Sequence, residues 1–566
     1  MKKLLKNKML WLHLLLMTVS ISGYTQVQLH LNTDFMRSEQ LTMGYNGRST
    51  EGPSWTDEAF LSLVSESQAG VIRYPAGTQA NYWDWRTGTF IEGTKSGGKT
   101  PFTIPLVVNG IDEGVKLIYV VNMARPTPIT GVSYEADEAT LISENTLLLK
   151  VDDMLAALQA FQQAGQLPEV VELGNEFYFD NEHAAIYAAN PELYLQHSKV
   201  ICQHIRQVYP DMKILMITTK GGSSSRDNWN NTIFNGLKND SELAGMIHGV
   251  VQHHYLSTYY GDQTAVTNVQ TAKIAIAEGI QYPLEKSDDY AMVPDDFELW
   301  LTEYGATKDN TPGSWASGLR AAAYTMQWLK LGEKITNLMY HHVTNHPDVI
   351  NKDQMEAGPV AIALAYLYQA ADECLYRRSV DISNNPEAIA GVGAIQGLQF
   401  INQNSEQLVL LNIHEHAVTN VDIRHLLSDE TAEINQLTCS NVYDSPVFEG
   451  SGISKNTFTA NQQIDLPPFS LTVIKVNKVF TSVDELKNDE SLTSTYFDKT
   501  LGHLEVKINK PFSNASIQLW DLNGKLCFEN KVTSTKQRYL LDTPPGIYVC
   551  QMNVDSDIQS SKLLID

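Results

Sequence analysis

Cysteine is scarce, and it stands in the wrong pattern for either of its structural uses. Cys202, Cys374, Cys439, Cys527 and Cys550 are odd in number, scattered over 566 residues and never spaced as CxxC, which argues against a zinc site or a disulfide framework. Only Cys527 and Cys550, near the C-terminal end, are placed to be considered as a pair. Positive charge is the second shortage: 41 Lys and Arg face 65 Asp and Glu, for a formal net charge of −24. Such a surface repels nucleic acid and anionic membrane, so neither is an expected partner. It also works against a highly sulfated polyanion, unless a local basic cleft overrides the average. Long apolar runs are the third: beyond the N-terminal region none reaches the about 20 residues of a bilayer span, so no membrane span is expected in the mature protein.

What is present is a globular composition, with 43% hydrophobic residues, 9 Trp and 25 Tyr. A chain of this length outgrows a single core and is expected to divide into two or three domains. Lys2, Lys3, Lys6 and Lys8 precede an apolar run from Met9 to Met17 and small residues through Ser22 and Gly23. This order reads as a secretory signal peptide over residues 1–25, cleaved before Gln26. The apolar run is short for a membrane anchor and contains His13.

From Leu41 the chain shows eight strand-like runs, most followed by helical periodicity: Leu41 to Tyr45, Val71 to Tyr74, Lys116 to Val121, Val170 to Leu173, Lys213 to Thr218, Gly249 to Gln252, Glu298 to Thr302 and Asn337 to Tyr340. This is the pattern of an α/β fold, a (β/α)8 TIM barrel, over residues 26–375. Shorter alternating strands over 376–476 predict an accessory β-sandwich, to which residues 26–32 are placed to add a strand. The polar stretch 477–499 reads as a linker, and 500–566 as a small C-terminal all-β domain.

Polar groups collect where barrel strands end: Asn46, Arg73, Asn122, Glu176, His253, Glu303 and His341. Glu176 follows the fourth strand in Glu172-Leu173-Gly174-Asn175-Glu176, and Glu303 ends the seventh in Leu301-Thr302-Glu303-Tyr304-Gly305. Two carboxyl groups converging on one barrel mouth are the minimal equipment for cleaving a glycosidic bond, one protonating the leaving oxygen and the other attacking the anomeric carbon. Asn175 is placed to donate to the sugar hydroxyl beside the reacting carbon. Strict alternation would not aim Asn175 and Glu176 inward together, so the chain is expected to curl after Gly174.

Asn-Glu after a fourth strand and Thr-Glu-Tyr-Gly after a seventh resemble glycoside hydrolase clan A, whose members are retaining (β/α)8 enzymes; the resemblance covers Leu41 to Ala365. It implies Glu176 as acid/base and Glu303 as nucleophile. Val71-Ile72-Arg73-Tyr74-Pro75-Ala76-Gly77 resembles the second-strand Arg-Tyr-Pro-Gly-Gly of the family 51 α-L-arabinofuranosidases and the related stretch of family 79 glucuronidases and heparanases, with Ala76 in place of a glycine; family 39 belongs to the same group. His253-His254-Tyr255 resembles the sixth-strand His-x-Tyr of these enzymes, which implies a hydrogen bond from Tyr255 to the nucleophile. The expected substrate-binding residues are Asn175, Arg73, Asn122, His253, Tyr255, Trp83, Tyr304 and His341. No cofactor is expected, and the implied partner is a poly- or oligosaccharide.

Competing readings stand beside these. Arg73 also suits a structural ion pair, and His253 and His341 suit hydrogen-bonded core positions. Tyr82-Trp83-Asp84-Trp85 is either a sugar platform or a plug under the barrel rim, with Trp229 and Trp315 weaker platforms. His253, His254, His341, His342 and His346 raise a metal-dependent hydrolase, against which stands Gly44-Tyr45-Asn46 at the first strand, where such barrels carry His-x-His. A barrel that only binds carbohydrate is the remaining alternative. Finally, Ile517-Gln518-Leu519-Trp520-Asp521-Leu522-Asn523-Gly524-Lys525, with Leu541-Asp542 and Pro545-Gly546-Ile547-Tyr548, resembles the C-terminal sorting domain of the type IX secretion system. That resemblance implies handling by the type IX machinery and export through the periplasm of a Gram-negative bacterium to the surface or medium; the competing reading is a carbohydrate-binding module.

Overall fold

The structure, a computed structural model, describes residues 26–565 apart from 33, 48–51, 95–99, 180–184, 257–265, 306–312, 345–348, 390, 403, 424–431, 444–452, 461, 478–492, 499–502, 509–511, 522–524, 535, 542–543, 545 and 556. The signal peptide and most of the expected linker therefore lie outside the described residues.

Eight parallel strands close a barrel: β1 (Thr42–Asn46), β2 (Val71–Tyr74), β3 (Lys116–Val120), β4 (Val170–Glu172), β5 (Lys213–Ile217), β6 (Gly249–Tyr255), β7 (Glu298–Gly305) and β8 (Ile335–Tyr340). β8 returns to β1 through Asn337↔Thr42 to Tyr340↔Tyr45, which shuts the ring. These are the eight runs read from the sequence. Strands buried on both faces carry near-continuous apolar residues, and that is why they stand out. Inside the ring Val71, Ile118, Val170, Leu215, Val251, Trp300 and Met339 form a dry plug. Two residues further along their strands, on the same inward face, come Arg73, Glu172, His253 and Thr302. A polar layer thus rests on an apolar floor.

The sandwich is built around one long strand, Cys374–Ser383, which pairs Ile395–Asn402 at one end and Gln28–Leu31 at the other. The N-terminal strand accordingly belongs to the sandwich. Barrel and sandwich form one compact unit ending at Asn477. The helix Trp315–Leu331 lies between them and is buried nearly all round, as an apolar helix with no polar face must be. Arg377, fully buried on the long sandwich strand, donates to the carbonyls of Leu329, Gly332 and Ile335 and to Ser38 Oγ, so four of its five N–H groups staple helix, barrel floor and sandwich.

The second unit starts at Lys478 and has its own core, including Leu504, Val506, Ile517, Leu519 and Met552. It holds a three-stranded and a four-stranded antiparallel sheet. One expectation changes here, and one question that the sequence left open is answered. Thr493–Asp498, read as the end of the linker, is a strand paired antiparallel with His503–Ile508. Cys527 and Cys550 form no disulfide: the strand Ala515–Asp521 runs between theirs, and Cys527 is exposed while Cys550 is buried. Among the described residues no helix is long and apolar enough to cross a membrane.

Candidate active site

Two backbone irregularities aim the carboxylates. β4 stops at Glu172, Gly174 takes φ +88° and Glu176 φ +52°, so the chain curls and turns both Asn175 and Glu176 to the mouth. Gly174 has no substitute: a Cβ there would lie 2.2 Å from the ring of Phe177. In β7 the register slips against β6 between Val251 and His253 and against β8 between Leu301 and Tyr304. Such a bulge lets consecutive residues Thr302 and Glu303 both face inward and sends Tyr304 outward.

Arg73 is the hub. Its Nε and Nη2 donate to the two oxygens of Glu172 at 2.8 and 2.6 Å, Nη1 donates to Glu303 Oε1 at 2.6 Å and to Asn46 Oδ1 at 2.9 Å, and Nη2 donates to Asn175 Oδ1 at 2.8 Å. Arg73 and Glu172 are fully shielded from water. The guanidinium therefore lies below the carboxylates with every N–H engaged, holding them from beneath rather than lining the cleft.

Above it, His253 Nδ1 lies 3.0 Å from Glu176 Oε1 and 3.6 Å from Glu303 Oε2, with Nε2 at 3.2 Å from Thr302 Oγ1. Tyr255 donates its hydroxyl to Glu303 Oε2, Tyr178 donates to Glu176 Oε1 at 3.1 Å, and His341 Nε2 lies 3.8 Å from Glu303 Oε2. One ligand-capable atom each of Glu176, His253 and Glu303 falls within a 4.8 Å group. Burial works to raise the Glu303 pKa, but the charges of His253 and Arg73 and the hydrogen bonds from Tyr255 and Arg73 outweigh it and bring it from the ordinary 4.5 down to about 2. Burial lowers the His253 pKa, and the charges of Glu303 and Glu176 more than reverse it. The trio also has the makings of a metal site, but a divalent ion would have to settle against the Arg73 guanidinium, already 2.6 Å from Glu303.

The loop after β2 presses on the same carboxylate: a Cβ on Gly77 would come 3.2 Å from Glu303 Oε1. Ala76, where the resembled pattern has glycine, takes φ +80° and ψ 147°, a backbone that costs a non-glycine residue about 1–3 kcal/mol.

Glu176, Glu303, Asn175, Arg73, His253, Tyr255 and His341 are thus brought together, and three expected site residues are not. Trp83 is buried, donating Nε1 to the Tyr74 hydroxyl and packing edge-on against Phe90 and Phe102, so it is the plug under the rim and offers no face to a sugar. Tyr304, turned outward by the bulge, bonds the hydroxyls of Thr325 and Tyr368 in the helix layer. Asn122 caps its own loop, donating to the Trp83 carbonyl and accepting from Arg125 N. Trp229 and Trp315 are likewise buried. Glu172 and Asn81, whose amide donates to the Asn175 carbonyl at 3.0 Å, were not singled out from the sequence. For Glu172 a signal existed: it stands two residues after Val170, and a carboxylate on the inner face of a buried strand needs a cation.

The fold and the C-terminal unit both have relatives among known proteins. No curated protein matches the chain in sequence. The family 51 arabinofuranosidase from Xanthomonas axonopodis pv. citri superimposes with a TM-score of 0.59 at 14% identity, over 80% of this chain and 99% of that one. A family 51 α-L-arabinofuranosidase from Bifidobacterium longum gives 0.55 at 15% identity over 80% and 99%. A 4-O-α-L-rhamnosyl-β-D-glucuronidase from Fusarium oxysporum gives 0.52 at 12% over 79% and 100%. Residues 500–566 match the model of the secretion system C-terminal sorting domain. This chain therefore has the barrel-and-sandwich fold of these glycoside hydrolases and ends in a domain of the secretion system C-terminal sorting family.

Proposed function

We propose that this protein is a secreted retaining glycoside hydrolase that cleaves O-glycosidic bonds of a plant, algal or matrix polysaccharide by double displacement. Glu303 is the nucleophile and Glu176 the acid/base. The observation that carries this reading is the separation of the two carboxylates, whose oxygens fall within 4.8 Å with His253 beside both. Retaining enzymes hold their carboxyl groups about 5–5.5 Å apart, whereas inverting ones need about 6.5–9.5 Å to admit a water.

In the first step Glu303 Oε2 attacks the anomeric carbon while Glu176 gives its proton to the departing oxygen; in the second, Glu176 takes a proton from water as it displaces Glu303. The depressed pKa keeps Glu303 ionised for the attack. Asn175 Nδ2 is buried with no hydrogen-bond partner, which suits it to a hydroxyl on the sugar bound by the nucleophile. Arabinofuranosides and uronides are the leading substrate classes, after the activities named for the similar structures. Proton NMR of the first-formed product tests the mechanism: the released sugar keeps its anomeric configuration, and an inverted first product would exclude double displacement.

The sorting domain addresses the chain outward, and the route is the periplasm followed by the type IX machinery. Because the second unit has its own core and holds none of the site residues, deleting Leu504 to Asp566 should leave turnover of soluble substrate unchanged. In a host with that system the shortened protein should accumulate in the periplasm. Normal surface delivery combined with lost affinity for insoluble polysaccharide would instead make the unit a binding module.

A further inference from the structure

The aromatic run after Glu176 ends in a residue that the core does not use. Phe177 is fully buried, and Tyr178 is buried with its hydroxyl on Glu176, but Phe179 is 37% exposed. Its ring lies 4.7 Å from that of Tyr178, so it stands one side chain away from Glu176. Over it hangs Arg226, whose guanidinium carbon is 5.2 Å from the centre of the Phe179 ring and 5.9 Å from that of Tyr178.

Arg226 is half-buried in the first turn of the helix Ser224–Asn239, where the macrodipole disfavours a cation. Among the described residues it has no carboxylate within ion-pair distance, in a chain with 65 acidic side chains. Lys220, just beyond β5, has its Nζ 3.5 Å from the Tyr282 hydroxyl and no carboxylate partner either. Burial first, then the charges of Arg226 and Lys286, lower its pKa, with Asp289 and Glu176 opposing. Beyond β4 and β5 two cations, Arg226 and Lys220, thus stand without a carboxylate at ion-pair distance among the described residues.

We infer that Phe179 and Arg226 form a leaving-group subsite for an anionic sugar, the ring taking the apolar face of the sugar and the guanidinium its carboxylate or sulfate. This deepens the reading of Glu176 as acid/base and rests on it, because the group that protonates the departing oxygen stands on the leaving-group side. Arginine matches both anions with paired N–H donors, and an arginine already spread over an aromatic face loses little freedom when the anion arrives. Lys220 adds long-range attraction. A neutral arabinan would leave this charge unanswered, so an acidic polysaccharide is the substrate class.

The test uses the full chain carrying Glu303→Gln, so that probes survive, and calorimetric titration with two matched pairs: glucuronoxylan oligosaccharides against their carboxyl-reduced form, and sulfated galactan oligosaccharides against their desulfated form. The acidic member of at least one pair should bind about tenfold more tightly than its neutral counterpart. Adding Arg226→Gln should abolish that preference, Arg226→Lys should restore part of it, and Phe179→Ala should weaken both members together. The pair that shows the preference tells carboxylate from sulfate. Equal affinity within both pairs, no binding by either acidic member, or a preference that survives Arg226→Gln would overturn the inference. Failure of the hydrolase reading looks different: the chain with Glu303 intact would release no product while the binding preference persisted.

Discussion

Glu303→Ala should lose about four orders of magnitude or more in kcat, with the fold intact, because without the carboxylate no glycosyl-enzyme can form. Glu176→Ala should lose about 10²- to 10⁴-fold on natural polymer, and much less on an aryl glycoside whose phenolate leaves without a proton. Azide separates the two roles. Added to the Glu303→Ala protein it enters the space of the missing carboxylate and gives a glycosyl azide of inverted configuration. Added to the Glu176→Ala protein it attacks the intermediate on Glu303 and gives the retained azide. Near-wild-type turnover by either variant, or the opposite pairing of azide products, would overturn the assignment of these two residues.

The second large effect belongs to a residue that does not reach the cleft. Arg73→Ala should destabilise the protein by about 3–5 kcal/mol, because it leaves Glu172 ionised in a dry interior with its cation gone. Removing both charges should be gentler. The double change Arg73→Met with Glu172→Gln is expected to recover more than half of the lost stability in urea unfolding. It should recover little activity, since Glu303 still lacks the guanidinium that helps hold its pKa near 2. Loss of stability without loss of kcat in the refolded single variant would reduce Arg73 to a structural ion pair.

The ring of strands was legible because each buried parallel strand is an apolar run ending in a polar residue, and Glu176 and Glu303 stood out because each follows such a run. Side-chain direction was not legible where the backbone departs from alternation. Tyr304 follows a bulge, and nothing in Leu301-Thr302-Glu303-Tyr304 announces that two neighbours will share a face. Trp83 was a surface platform or a plug by composition, and only the Tyr74 hydroxyl at 3.0 Å decides for the plug. Phe179 was hidden in the opposite way: it continues an apolar run and reads as core, although it is exposed. Glu172 needed a partner 99 residues earlier in the chain, which local pattern does not reveal.

That long reach has a consequence for how the molecule comes to life. The guanidinium arrives on the second strand, its first carboxylate on the fourth, and the nucleophile on the seventh, 230 residues away. On an open sheet these groups are solvated and apart, and Glu303 is an ordinary glutamate. Only ring closure strips the water from them and lowers the nucleophile's pKa, so activity arrives late and all at once. An incompletely folded chain is catalytically silent, and the first turnover after synthesis or refolding is a timestamp for the moment the last strand locks against the first.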